Sequence, residues 1–242
     1  MQADFGPLLE NPRILLFGGA GQFGIFLTLL LALFLGFTKM ESVAIGIIGA
    51  CDGPTAIYVA SKYAPHMLGA VSVAAYCYMS LVPIIQPPIM RALTSVEERK
   101  IVMTYQKKKI PPALKIIFPI AVTLVTCLIA PMGTPLMGTL MLGNLLRESR
   151  VVDRLVKAAE NEIANVVTLL LGISIGATMA GPVFLKPQTL MILGLGLVAI
   201  SVDTAAGIFL GKLMKVLSGG KVNPLIGAAG ISAFPMSARV VQ

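Results

Sequence analysis

Asp52 is the only charge between residues 43 and 61, in the run Ala44-Ile-Gly-Ile-Ile-Gly-Ala-Cys-Asp-Gly-Pro-Thr-Ala-Ile-Tyr-Val-Ala60. A carboxylate at mid-depth of a membrane-length apolar run costs about 2.5–3.5 kcal/mol on insertion scales. Gly53 and Pro54 follow it directly, and proline breaks a helix because it has no N–H and its ring clashes with the preceding turn. An acid beside a helix break inside a bilayer is the arrangement of an ion site: one fixed negative charge, with unwound backbone to add carbonyl oxygens. The chemistry expected of Asp52 is binding of Na⁺, H⁺ or both in alternation. A structural ion pair with Arg239 is the alternative.

Other residues are candidates by type. Asn223 offers an amide oxygen, Ser232 a hydroxyl, and Gly227 a break that exposes carbonyls, all in the segment 223–239. Tyr76 and Tyr78 lie in a charge-free window, where a phenol is either a packed core residue or a proton relay. Arg239 follows a 17-residue uncharged run and either snorkels to the interface or faces an anionic group. Asp203 is a second acid in an apolar run and ranks below Asp52 because an internal repeat with a 175-residue offset places it on Thr28, so it is not a symmetry mate of the Asp52 site. Gln86-Pro87-Pro88 reads as a rigid helix exit. Cys51, Cys77 and Cys127 are isolated in apolar segments and His66 has no Cys or His at metal spacing, so no transition-metal site is expected. There is no Walker A loop, GxSxG or HExxH.

The elements that must position these groups are membrane helices. The 242 residues are 56% hydrophobic and only 12% charged, with a mean hydropathy of +0.87, far from the composition of a soluble domain. The expected fold is an all-α polytopic membrane protein. The net charge of +8 lies mostly in connections between apolar runs, where it sets orientation rather than binding nucleic acid. Charge-free windows fall at 14–38, 43–61 around Asp52, 63–90, 116–146, 163–185, 187–211 around Asp203, and 222–238. The first is too long for a signal-peptide core and reads as a retained helix. The 116–146 window carries Pro119, Pro131, Gly133 and Pro135, and is either one kinked crossing or a crossing plus a half-helix. The polar segment 91–115, with Arg91, Arg99, Lys100, Lys107, Lys108, Lys109 and Lys115, is predicted to face the cytoplasm.

An internal repeat organises these windows. With an offset of 175 residues, 11–36 lies on 186–211 without a gap, bringing Pro12 onto Pro187, Gly19 onto Gly194, Gly21 onto Gly196 and Gly36 onto Gly211. After a three-residue insertion, 48–50 lies on 226–228, so the Asp52 segment acquires the 223–239 segment as its counterpart. Interrupted apolar segments at corresponding positions of two repeats point to a transporter binding site. We therefore expect a single membrane domain over 1–242, with a first repeat core at about 11–90 and a second beginning at about 186–242. The expectation includes two broken helices crossing near mid-membrane. The repeats are inverted if 116–146 crosses once, although the resulting outer position of Lys212, Lys215 and Lys221 conflicts with the charge rule.

Gly49-Ala-Cys-Asp-Gly-Pro-Thr-Ala56, the 73–88 run Val-Ala-Ala-Tyr-Cys-Tyr-Met-Ser-Leu-Val-Pro-Ile-Ile-Gln-Pro-Pro, and the 223–239 segment together resemble the β subunit of the sodium-pumping, biotin-dependent decarboxylases. Those enzymes act on oxaloacetate, methylmalonyl-CoA or glutaconyl-CoA. The resemblance implies a plasma-membrane subunit at which carboxybiotin, made on a soluble partner, is decarboxylated with consumption of a proton and export of Na⁺. It implies biotin-carrying and carboxyltransferase partners, a small membrane subunit and an oligomeric complex. By motif, the essential aspartate falls on Asp52 and the functional tyrosine on Tyr78. Further functional residues fall on Asn223, Gly227, Ser232 and Arg239. Members of that family are longer, so the resemblance also implies spans that this chain lacks at both ends. The alternative class is a stand-alone secondary transporter, a Na⁺/H⁺ antiporter or a Na⁺-coupled anion symporter.

Overall fold

The structure, a computed structural model, describes residues 5–10, 15–103, 110–178, 181, 186–230 and 234–241. Ser232, Lys107, Lys108, Lys109 and Pro12 lie outside the described residues. The described elements are helices, with no strand among them: α1 (Gly6–Glu10), α2 (Leu15–Ala20), α3 (Phe23–Phe34), α4 (Lys39–Gly46), α5 (Gly53–Tyr63), α6 (Leu68–Leu93), α7 (Val96–Arg99), α8 (Pro112–Ile129), α9 (Thr134–Ser149), α10 (Asp153–Ala158), α11 (Ala164–Thr178), α12 (Pro187–Leu217), α13 (Ile226–Ala229) and α14 (Phe234–Val241). Five stretches are long and apolar enough to cross a bilayer: Leu15–Phe34, Pro65–Leu93, Pro112–Ile129, Asp153–Ala177 and Pro187–Leu217. The chain is an all-α membrane protein.

It divides into two compact units, one of residues 1–13 with 105–174 and one of 14–104 with 175–242. In the first, Pro112 opens α8 where a missing N–H matters least. A 3₁₀ turn at Pro131–Gly133 then reverses the chain into α9. Gly133 faces Thr126 and Gly138 faces Thr123, while a Lys115–Glu148 ion pair of 3.4 Å joins the two open ends. The 116–146 window is therefore a helical hairpin and not one kinked crossing. Phe5 packs on Phe118 with ring centroids 5.4 Å apart.

The second unit is built on α6 and α12. Helix α6 runs through Pro83, Pro87 and Pro88 to Leu93, so Gln86 sits within a helix rather than at its exit. Such prolines persist in membrane helices where neighbours satisfy the freed carbonyls. The 14–38 window is interrupted as well: α2 stops at Ala20, Gly21 and Gln22 form a turn, and α3 starts at Phe23. Gly24 of α3 abuts Ala199 and Asp203 of α12, and Phe17 of α2 abuts Gly230. The segment holding Gly230 in turn packs at Gly207, further along α12. The 15–34 stretch and α12, which the 175-residue offset equates, therefore run in opposite directions. Gly24 and Ala199, equivalent under that offset, touch where they cross.

One end of this unit is drawn together by an acidic residue. Glu98, at the end of a Ser95–Glu98 capping box that starts α7, pairs with Lys215 at 3.1 Å and Lys212 at 3.6 Å. The C-terminal ends of α6 and α12 therefore share one face, which gathers Arg91, Arg99, Lys100, Lys212 and Lys215. The sequence-level conflict over Lys212 and Lys215 disappears, because their loop lies beside the basic 91–103 segment.

Candidate functional site

The Asp52 segment is a hairpin. Thr38 and Glu41 form a capping box that opens α4, with Glu41 N–H on Thr38 Oγ1 and Thr38 N–H on Glu41 Oε2. After α4 the helix tightens into a 3₁₀ turn at Ile47–Ala50. Cys51 is left-handed at φ 50°, which a residue with a Cβ rarely adopts, and Asp52 is extended. Helix α5 then carries the chain back, and His66 just beyond it meets Glu41 at the start of α4, Nε2 to Oε1, at 2.8 Å. Entry and exit are thus on one face, with Cys51 and Asp52 at the tip. Each arm of 11 or 12 residues is about 17 Å long, roughly half a hydrocarbon core.

At this tip Asp52 is half-buried and heads α5, where the positive end of the helix dipole favours a carboxylate. Its Oδ2 accepts a hydrogen bond from Thr55 Oγ1. The Tyr76 ring lies against Gly53: a Cβ there would be 2.6 Å from the ring's Cζ. Tyr78, two residues on, is turned toward α12, where its hydroxyl donates to the Leu193 carbonyl and its ring covers Gly196 beside Ile48.

A second hairpin enters from the opposite face. Asn223 anchors its start: Nδ2 donates to the carbonyls of Arg99 at 3.2 Å and Ile101 at 3.0 Å, and Oδ1 accepts from Leu225 N–H at 3.0 Å. Pro224 lies on Gly211 and Gly227 on Gly207, so close that no side-chain carbon fits at either α12 glycine. Gln86, fully buried on α6, donates to the Ala228 carbonyl at 3.1 Å and to Thr204 Oγ1 at 3.4 Å. After 231–233, which lie outside the described residues, α14 returns, and Val240 and Val241 pack with Met90, Leu93 and Leu225 near the basic face. Arg239 is exposed on this returning arm.

The two hairpins meet the same stretch of α12. Gly49 of the first lies against Ala199 and Asp203, and Gly227 of the second against Gly207. Four residues of helix separate those contacts, about 6 Å along its axis. Of the residues singled out by sequence, the fold sets Tyr76 rather than Tyr78 against the Asp52 tip, turns Tyr78 to α12, and packs Gly227 of the facing hairpin on Gly207. It holds Asn223 at the hairpin entrance and Arg239 on the outside. Gln86 and Asp203 are the buried polar groups that sequence reasoning undervalued. Their available signal was being polar in otherwise apolar windows.

The sequence pattern described as Na⁺-transporting oxaloacetate decarboxylase beta subunit matches residues 1–242. The chain belongs to this β-subunit family. It is 55% identical over 240 residues to the methylmalonyl-CoA decarboxylase subunit beta of Propionigenium modestum, covering 99% of this chain and 60% of that one. The oxaloacetate decarboxylase beta chain of Klebsiella pneumoniae is 55% identical over 243 residues, covering 98% and 56% respectively. The glutaconyl-CoA decarboxylase subunit beta of Acidaminococcus fermentans is 55% identical over 239 residues, covering 99% and 64%. The chain thus spans between 56% and 64% of the length of these β-subunit relatives.

Proposed function

We propose that this chain is the membrane subunit of a primary Na⁺ pump that couples decarboxylation of carboxybiotin, carried by a partner subunit, to Na⁺ export. Family membership supports the reaction class. The observation that carries the site is Asp52, half-buried at the tip of a half-depth hairpin, with a second hairpin entering from the opposite face along the same helix. In the reaction the N–CO₂⁻ bond of carboxybiotin breaks and its electron pair returns to the ureido nitrogen. That nitrogen takes up the proton consumed per turnover.

Asp52 supplies the charge that holds Na⁺, with oxygen ligands from Gly227, Ser232 and Asn223. Asn223 reaches the ion when the second hairpin releases the backbone at 99 and 101, which makes its present hydrogen bonds one end state of a transport cycle. Tyr78 and Arg239 handle the proton and the carboxybiotin or ion release. The two-repeat organisation, with repeats inverted, is supported by the opposed directions of the 15–34 stretch and α12 and by the contact of Gly24 with Ala199. The cytoplasmic position of 91–115 in the plasma membrane is supported by the basic face that Glu98 draws together. Biotin-carrying and carboxyltransferase subunits dock there, and a small membrane subunit completes an oligomeric complex.

The test is capture of native membranes on avidin. Recovery of this chain with a biotinylated protein, and Na⁺-dependent CO₂ release from oxaloacetate, methylmalonyl-CoA or glutaconyl-CoA by the recovered complex, is the expected result. A chain that is left behind and transports Na⁺ without biotin would be a secondary transporter instead.

A further inference from the structure

Asp203 is the one fully buried carboxylate among the described residues, and half of it is unused. Its Oδ1 accepts from Gly24 N–H at 2.6 Å. Gly24 is the second residue of α3, just past the turn at 21–22, so its N–H is one of the donors that a helix start leaves without an intrahelical partner. Oδ2 has neither a hydrogen-bond partner nor solvent. It faces the bare α-carbon of Gly49, where an added Cβ would lie 3.2 Å away.

A second orphan lies on the same helix face. Thr28, one turn beyond Gly24, is fully buried and its Oγ1 has no partner. A helical threonine ordinarily bonds back to the carbonyl four residues earlier. Thr204 does so, to Ile200 at 2.8 Å, and Thr28 does not. Among the described residues no lysine, arginine or histidine pairs with Asp203. Of the titratable groups on the segments packed around it, Cys51 is buried at the hairpin tip and Tyr78 gives its hydroxyl to Leu193, whereas Tyr76 lies on Gly53, Cys77, Lys39 and Arg91 are exposed, and Glu41 pairs with His66 at the far start of α4. A carboxylate oxygen sealed from water without a donor is stable only with a positive partner or a proton.

We propose that Asp203 Oδ2 and Thr28 Oγ1 form a second site for a small monovalent cation, Na⁺ or a proton, between α3 and the Asp52 hairpin. The bare α-carbon of Gly24 lets the carboxyl reach the start of α3, and that of Gly49 keeps a methyl from closing on Oδ2. The proposal takes its cargo from the Na⁺-pump reading, but the site itself is separate from Asp52.

The test uses the full chain in nanodiscs. Radiolabelled Na⁺ binding in choline buffer is measured beside infrared detection of protonated carboxyl groups with isotope-labelled aspartate, for wild type, D52N, D203N and T28V. Asp203→Asn keeps an oxygen for the Gly24 N–H and removes the charge. If Na⁺ is the occupant, D52N retains part of the Na⁺ binding, and the part that remains is lost when D203N is added. If a proton is the occupant, D203N loses one protonated-carboxyl band and binds Na⁺ as wild type does. Thr28→Val should weaken the Na⁺ signal severalfold or shift the carboxyl band. With no ligand to serve, it would only stabilise the fold by replacing an unpartnered hydroxyl. The proposal is overturned if D203N changes neither signal, or, should D203N fail to fold, if T28V raises the melting temperature and leaves both signals intact. The Na⁺-pump reading fails separately, if D52N and wild type bind Na⁺ equally.

Discussion

Two aspartates in this fold each head a half-helix, and they do so in opposite ways. Asp52 heads α5, the helix that follows it in sequence, is half-exposed at a hairpin tip, and is tied to the hydroxyl of Thr55. Asp203 heads α3, 179 residues away in sequence, is sealed from solvent, and takes a backbone N–H. The first environment can release and rebind a partner without unfolding anything. The second welds α12 to an interrupted helix and leaves one oxygen in reserve. A carboxylate at a helix start is therefore not one device: exposure and the kind of donor decide how firmly it is tied to the frame.

That contrast can be broken at four places, in decreasing order of effect on the thermal unfolding midpoint of the chain in detergent. Gly24→Ala places a methyl within the Asp203 carboxyl and the Ala199 carbonyl, neither at the end of a flexible chain, and should cost about 3 kcal/mol. A midpoint equal to wild type would show that α3 is not clamped by Asp203. Asp203→Leu strands the Gly24 N–H and should cost about 2 kcal/mol. Thr55→Val, the corresponding change beside Asp52, removes one hydrogen bond at a half-exposed group and should cost about 1 kcal/mol or less. If Thr55→Val proved the more damaging of the two, the assignment of frame and cargo would be reversed.

The smallest effect concerns pH, at the basic face away from both aspartates. The Ser95 backbone N–H, followed by Lys215 and Lys212, holds the Glu98 carboxyl below its ordinary value of 4.5. A carboxyl whose folded-state pKa is depressed adds stability above its unfolded pKa, and that stability is lost as pH falls through the folded value. Wild type should therefore lose midpoint temperature below about pH 4.5 more steeply than Glu98→Gln does, with the difference fading at high salt. Parallel acid limbs would mean that the Glu98 cluster does not hold α7 to α12.

The helical class and the family were legible in the sequence, and Asp52 stood out there because an acid beside Gly-Pro in an apolar run is a local signal. Of the glycines matched by the offset between 11–36 and 186–211, Gly196 and Gly211 mark close approaches, to Tyr78 and Pro224, whereas Gly19, Gly36 and Gly194 face open space. What the sequence hid was direction. Nothing local tells a broken crossing from a hairpin that returns, and the Glu41–His66 pair that distinguishes them joins residues 25 positions apart. The span count changed at 43–61 and again at 116–146, and contacts between Gly24, Ala199 and Asp203 now stand in place of that count. Gln86 and Asp203 were undervalued for a related reason. A polar group that serves a distant backbone leaves no mark next to itself in sequence.

The central claim is that Asp52 carries the ion whose movement is coupled to decarboxylation. Its most direct measurement is Na⁺ uptake into inverted vesicles holding the whole complex, started with the decarboxylation substrate and followed beside CO₂ release, for wild type and Asp52→Asn. The account predicts that the variant, assembled at wild-type abundance, loses Na⁺ uptake and CO₂ release together. Substrate-driven Na⁺ uptake at an undiminished ratio to CO₂ would contradict it.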